Sequence, residues 1–387
     1  MIDAFCFVAV VHRHQSVAWC SAGDFDKSSG TSVLQYPTFS ILTRTGIGAM
    51  QSGQENFYVD PVTRGRLALR DGLEVEGEIV EGVLVSEAGN LFEIREGIPN
   101  FVYPFELPEI DRRSLKLSED RVDAYDRYLP LTFQTYGEDE SQVRNAMADK
   151  LGLAHDSIVL EVGAGTGRDS EVIARRLGKN GRLYIQDISP SFLARNVIRM
   201  REIGASAEPA LANGYYLPFP DNSFDACFSF GGINGFADIR RAFAEMARVT
   251  KPGGKVVVGD ENMPIWLRET EFARILINSN PEFSYPLPLE MLPVEARKVS
   301  VEWIIGGVFY LIDFVVGEGQ PSADFDFPIP GVRGGTHRTR LYGQLEGVSL
   351  ETKELALAAR AKTGKSMHHW LDEVVLQAAR KDIGSTE

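Results

Sequence analysis

The pattern of apolar and polar positions changes character several times along the chain. Residues 1–49 mix His12, Arg13, His14 and clustered Ser and Thr with scattered apolar residues, and sustain neither a helical nor a strand period. They are expected to be a disordered extension, with Met50 as an alternative initiator. From 57 to 103, short apolar runs are punctuated by Gly72, Gly77, Gly82 and Ala88-Gly89-Asn90, predicting a small β-rich module within 50–105. Between 118 and 262 strand-like and helical periods alternate, which predicts an α/β domain with a doubly wound parallel sheet. Ser157-Ile158-Val159-Leu160 reads as a buried strand, and Val172, Ile173 and Leu177 mark one face of the next helix. Leu183-Tyr184-Ile185 reads as a second strand, and Ser189-Pro190 as the N-cap and first-turn proline of a helix ending at Gly204. Residues 263–387 are less regular, with a Pro-rich loop over 281–293 and an apolar strand pattern over 301–316. The tail, 344–387, predicts a short strand, a helix to Thr363, a stop at Gly364 and a helix from Ser366. Met367, Trp370, Leu371, Val374 and Ala378 stripe that last helix.

The candidate chemistry lies where a strand gives way to a helix, in Glu161-Val162-Gly163-Ala164-Gly165-Thr166-Gly167-Arg168. Glycines at alternate positions let the backbone turn tightly and approach a ligand with no Cβ in the way. Dinucleotide folds use G-x-G-x-x-G. This loop is G-x-G-x-G with an acid two places ahead, a spacing that favours S-adenosylmethionine (SAM) over a pyrophosphate. Asp187, followed by Ile188, ends the second strand, where a carboxylate can accept hydrogen bonds from both ribose hydroxyls. Asn213 can pair with an adenine amino group, and Gly214 can offer its amide. Gly231 follows the next strand, Phe224-Asp225 onward, and Pro252-Gly253-Gly254 turns into a further apolar strand.

Over this region the chain resembles the class I SAM-dependent methyltransferases, nearest to the group that includes the ubiquinone/menaquinone C-methyltransferases. The resemblance implies a Rossmann-like fold over 118–343, acceptor-site insertions after 262, and SAM as co-substrate. It implies in-line methyl transfer to an acceptor, with Glu161, Gly163, Ala164, Gly165, Gly167, Asp187, Ile188, Asn213, Gly214 and Gly231 holding SAM. Asn213 stands where that group often has Asp. His337 and Tyr136 are the candidate catalytic residues, and Tyr215, Asn234, Glu261, Trp266 and Tyr310 are candidates to line the site. Residues 81–102 resemble a zinc-ribbon module found before some methyltransferases. Its ligand positions are read at Asp60, Thr63, Val85 and Ala88, none of them a cysteine, so no metal is expected. The tail resembles the ribbon-helix-helix fold. Its strand alternates Glu346, Val348 and Leu350 with Leu345, Gly347 and Ser349, a poor surface for phosphates or bases, so a homodimer is expected of it rather than DNA binding.

Charge narrows the partners. With 40 Lys+Arg against 54 Asp+Glu the net charge is −14, which opposes broad contact with nucleic acid or an anionic membrane. Cys6, Cys20 and Cys227 are too scattered for a disulfide framework, and no apolar run is long enough to span a bilayer. A cytoplasmic enzyme acting on a small, largely apolar acceptor is the leading expectation. Its rivals are an RNA base methyltransferase and a SAM-responsive DNA-binding regulator.

Overall fold

The computed structural model describes residues 50–330, 336–342 and 348–384, and it divides between Gln320 and Pro321 into two units. The expected extension over 1–49 and residues 345–347 of the expected tail strand, 345–350, lie outside the described residues. The first unit opens with a small antiparallel sheet of β1 (Met50–Gln51), β2 (Leu67–Val75), β3 (Glu78–Ser86), β4 (Leu91–Arg95) and β5 (Ile98–Pro99). Three helices follow: α1 (Glu109–Tyr128), α2 (Pro130–Tyr136) and α3 (Glu140–Asp149).

The alternating region then builds β6 (Ile158–Val162), α4 (Arg168–Ala174), β7 (Arg182–Asp187), α5 (Pro190–Glu202), β8 (Glu208–Leu211), β9 (Phe224–Phe230), α6 (Ile239–Val249) and β10 (Thr250–Glu261). After α7 (Glu271–Ser279), β11 (Ala296–Ile304) and β12 (Phe309–Val316) complete a seven-stranded sheet of order β11-β12-β10-β9-β6-β7-β8. β12 runs antiparallel to both of its neighbours, and the other pairs are parallel. This is a Rossmann-like, doubly wound α/β fold. The apolar run read as one strand over 301–316 is a hairpin: Gly306 and Gly307 both take left-handed backbone at its turn. That turn is flanked by apolar Ile305 and Val308, so the pattern alone hides it.

Period two in the strands sends side chains to two cores. Leu160, Val162, Tyr184, Val256 and Val258 face α6, with Phe243 and Met246 against them. Val159, Leu183, Ile185 and Val257 face α3, α4 and α5. The small sheet joins the first of these cores: Phe57 stacks on Tyr184 at 4.7 Å, and Tyr58 on Phe101 at 5.1 Å. Phe101 N–H donates to Leu211 O at 2.7 Å, and Val59 N–H to Pro218 O at 3.0 Å, tying the module to edge strand β8 and to the loop beyond it. Each such aromatic pair adds roughly 0.5–1.5 kcal/mol beyond its buried area.

Of the positions read as zinc-ligand remnants, Asp60 is the centre of a local hydrogen-bond cluster. The Asp60 carboxylate accepts from the Val62 and Thr63 amides at 2.8 and 3.1 Å and from Asn90 Nδ2 at 2.7 Å. Ser86 joins it, and the Asn90 amide donates to Ser86 Oγ at 3.1 Å. Ser86 and Asn90, at the β3–β4 turn, are thus the side chains that meet Asp60. Burial pushes the Asp60 carboxyl up, but these donors outweigh it and hold it below the usual range.

The second unit contains α8 (His337–Tyr342), α9 (Leu350–Thr363) and α10 (Met367–Asp382). Ser349 and Ser366 cap α9 and α10, and Gly364 closes α9 in left-handed conformation. The boundaries at Thr363 and Ser366 fall where the tail sequence predicts, but Leu350, expected to close the short strand, begins α9 because Ser349 caps it.

Candidate active site

The chain passes from β6 outward through β7 to β8, then crosses to β9 on the other side of β6. The sheet order therefore reverses at β6. Crevices at such a reversal, beyond the carboxyl ends of the strands, are where doubly wound folds bind ligands. A cavity lies there, and its wall includes Glu161, Gly163, Ala164, Gly165, Asp187, Ile188, Asn213, Gly214 and Gly231. Nine of the ten positions expected to hold SAM are thus brought together. The tenth, Gly167, starts α4 instead: a Cβ there would fall 2.5 Å from Asn196 Oδ1, so this glycine lets α4 and α5 approach.

Gly163 and Gly165 both have positive φ, and this turn aims the Gly165 amide at Asp187 Oδ2, 2.8 Å away. Asp187 Oδ1 accepts from the Ser189 amide at 2.8 Å. Burial raises the Asp187 carboxyl to about 6, and the two amide donors oppose that rise. Glu161 is buried at the end of β6 and accepts from Ser170 Oγ at 2.5 Å. Burial, reinforced by the Asp169 charge, holds its carboxyl well above the usual range. Asp169 is itself paired with buried Arg144 at 2.6 Å. Gly214 sits where a Cβ would meet Phe236 Cε2 at 2.4 Å, so no larger residue fits beneath that ring.

The cavity's outer wall comes from α1, which the sequence did not mark as functional. Asp111, Ser114, Ser118, Arg121 and Tyr125 recur at three- and four-residue spacing and face inward. That spacing was the available signal, muted because the stripe is polar. Three acids tie the helix down. Asp111 accepts from Asn213 Nδ2 at 3.1 Å, from the Ala237 amide at 3.1 Å and from the Tyr215 hydroxyl. Glu119 accepts from Ser189 Oγ, Ser191 Oγ and the Ser191 amide, and Asp126 from Thr166 Oγ1 at 2.7 Å.

Toward β10 the wall includes Phe230, Phe309, Ile305, Glu261 and Glu282. Burial, together with the Glu282 charge, raises the Asp260 and Glu261 carboxyls to about 8. Asn234 serves this corner as a support: its amide N–H donates to Asp260 Oδ2 at 2.8 Å and its Nδ2 to Glu261 O at 2.9 Å. The other expected residues fall elsewhere. The cavity takes Leu129, Thr132 and Phe133 from the α1–α2 segment rather than Tyr136, which packs against Gly306 and is raised to about 12 by burial. Trp266 is largely exposed, edge-on to Trp303 at 5.1 Å. His337 begins α8 in the second unit, its ring 6.5 Å from Phe325.

A reversed-order sheet carrying a glycine loop and a buried acid at its carboxyl edge defines a Rossmann-like nucleotide-binding site. Residues 160–258 match the family described as methyltransferase domain. The ubiquinone/menaquinone biosynthesis C-methyltransferase of Hahella chejuensis is 36% identical over 118 residues, covering 30% of this chain and 47% of that protein. That of Enterobacter sp. is 35% identical over 119 residues, again 30% and 47%. The chain thus spans about half the length of the curated relatives it matches. Among solved structures, a SAM-dependent methyltransferase from Aquifex aeolicus is similar at 21% identity and a TM-score of 0.38, over 46% of this chain and 94% of that one. Phosphoethanolamine N-methyltransferase 2 of Haemonchus contortus, in complex with SAM, is similar at 14% identity and 0.42, over 59% and 63%. Among the described residues, no helix is long and apolar enough to cross a membrane.

Proposed function

We infer that this chain transfers a methyl group from SAM to a small-molecule acceptor bound in the cavity at the end of β6. The observation that carries the reading is the joint between Gly165 and Asp187. A 2.8 Å amide–carboxylate bond fixes the glycine loop against the acid, and both face the same cavity. Asp187 still has lone pairs to accept from a ribose diol, and Gly163 and Gly165 let the ligand lie against bare backbone. Buried Glu161, its carboxyl held well above the usual range, and the Arg144–Asp169 ion pair supply polar partners along the same wall for the polar end of the ligand.

A sulfonium-bound methyl group is already activated. The protein's task is then to align a nucleophile behind it and to exclude water. The α1 strap and the apolar walls Phe230, Phe309 and Ile305 serve the second need. The acceptor is expected to be small and mostly apolar, and SAM the co-substrate. The test is calorimetric titration with SAM and its demethylated product, followed by labelled methyl transfer into a small-metabolite extract and into total RNA. Saturable binding with label in the extract is expected. Label confined to RNA would overturn the acceptor class, and no binding would overturn the reading.

A further inference from the structure

We propose that Asp260, Glu261 and Glu282 form a binding site for a hard divalent cation, Mg²⁺ or Mn²⁺, in the wall of the cavity. One oxygen from each lies within 4.8 Å of the others, a span that a cation bridges with metal–oxygen distances of roughly 2.1–2.5 Å. All three residues are buried. The donor set is carboxylate only, which selects hard cations and leaves no cysteine or histidine signature in the sequence.

Two buried polar atoms, one on an acid of the site and one beside it, point to a ligand among these acids. Glu261 Oε1 is buried and has no hydrogen-bond partner. So is the hydroxyl of Tyr310, which is fully buried opposite Asp260 on the β10–β12 ladder and close enough to feel the charges of Asp260 and Glu261. An orphaned carboxylate oxygen and an orphaned hydroxyl are each unfavourable in a buried site unless a ligand or its bound water reaches them. A cation with its bound water satisfies both.

The acids are also held as ligands are held. Asp260 accepts the Asn234 amide on Oδ2 and the Glu261 amide on Oδ1, both at 2.8 Å, with the Ile233 amide as a third donor, which fixes its plane and leaves one lone pair for a ligand. Glu282 sits on a short turn over Pro281–Ser284, where its amide donates to Asn280 Oδ1 at 3.1 Å. Burial raises the Glu282 carboxyl, and the Arg113 charge opposes that rise. Glu261 and Glu282 open onto the cavity, so a cation between them would meet an acceptor carrying a phosphate, carboxylate or enolate oxygen. Only this last step rests on the methyl-transfer reading; the site itself does not.

The test uses the full chain and Mn²⁺, with free metal followed by electron paramagnetic resonance. One saturable site per chain is expected, competed by Mg²⁺. Glu261→Gln and Glu282→Gln should each weaken it at least tenfold, and Glu290→Gln, an exposed acid nearby in sequence, should leave it within twofold. Should either variant fail to fold, Tb³⁺ added to the wild-type chain supplies a second readout. Emission sensitised by aromatic excitation is expected, reduced at least threefold in Tyr310→Phe. No saturable Mn²⁺ site in the wild type, unchanged affinity in folded Glu261→Gln, or no sensitised Tb³⁺ emission would each overturn the proposal. SAM titration of the same wild-type sample reads the methyltransferase assignment separately, so the two can fail independently.

Discussion

At the residue scale, Asp187 carries the most testable chemistry. Asp187→Ala removes an acceptor from both the Gly165 and Ser189 amides as well as from the ligand, so SAM affinity should fall by roughly 1–3 kcal/mol in calorimetry. Its pH dependence follows from burial, which lifts the carboxyl from 3.8 to about 6. The native state then holds this proton more tightly than the unfolded chain, so its contribution to folding stability falls as pH rises from about 4 to 6. Ligand binding runs the other way, because the ionised form accepts from the ribose. SAM affinity should therefore rise across that interval and level off above it, and Asp187→Asn should flatten the profile. Asp60 gives a second test. Four donors converge on it, so Asp60→Ala should cost about 1–3 kcal/mol in a denaturant titration. Because Asp60, Ser86 and Asn90 satisfy one another, metal analysis of the wild type should find no zinc at this position.

Elements differ in how far the sequence discloses them. The strand–loop–helix around Gly163 and the cap at Ser189 are legible because their signals are local: a buried run, glycines at fixed offsets, a capping serine. α1 is not, since Glu109–Tyr128 has few apolar residues and earns its place through Asp111, Glu119 and Asp126, whose partners lie far away in sequence. Which side chains beyond the β3–β4 hairpin meet Asp60 is decided by hairpin register, which sequence does not display. Glu282 reaches Glu261 through the packing of Phe283 against Phe309, equally invisible in a pattern. The strap reading of α1 makes its own prediction. Asp111→Ala frees Asn213, Tyr215 and the Ala237 amide together, so amide hydrogen exchange over 109–128 should accelerate. SAM should dissociate at least tenfold faster in stopped flow. Unchanged exchange and dissociation would mean that α1 is held by its apolar contacts alone.

At the scale of the whole molecule, the described chain separates binding from its tail. Every residue lining the cavity belongs to the unit that ends at Gln320, and the core of that unit is complete within itself. The second unit is different in kind: α9 and α10 leave Leu355, Val374, Val375 and Leu376 exposed, an apolar surface that helices of this length ordinarily bury. A second copy of the chain is the expected cover, by likeness to ribbon-helix-helix dimers. Ending the chain after Gln320 should therefore leave SAM affinity within about twofold while abolishing self-association in sedimentation velocity. The same truncation removes His337, so turnover measured beside binding tests its expected part as a base: intact binding with lost turnover keeps His337 in the reaction, and intact turnover removes it. Loss of SAM binding on truncation would show that the second unit completes the site, and that the boundary at Gln320 divides the fold without dividing its function.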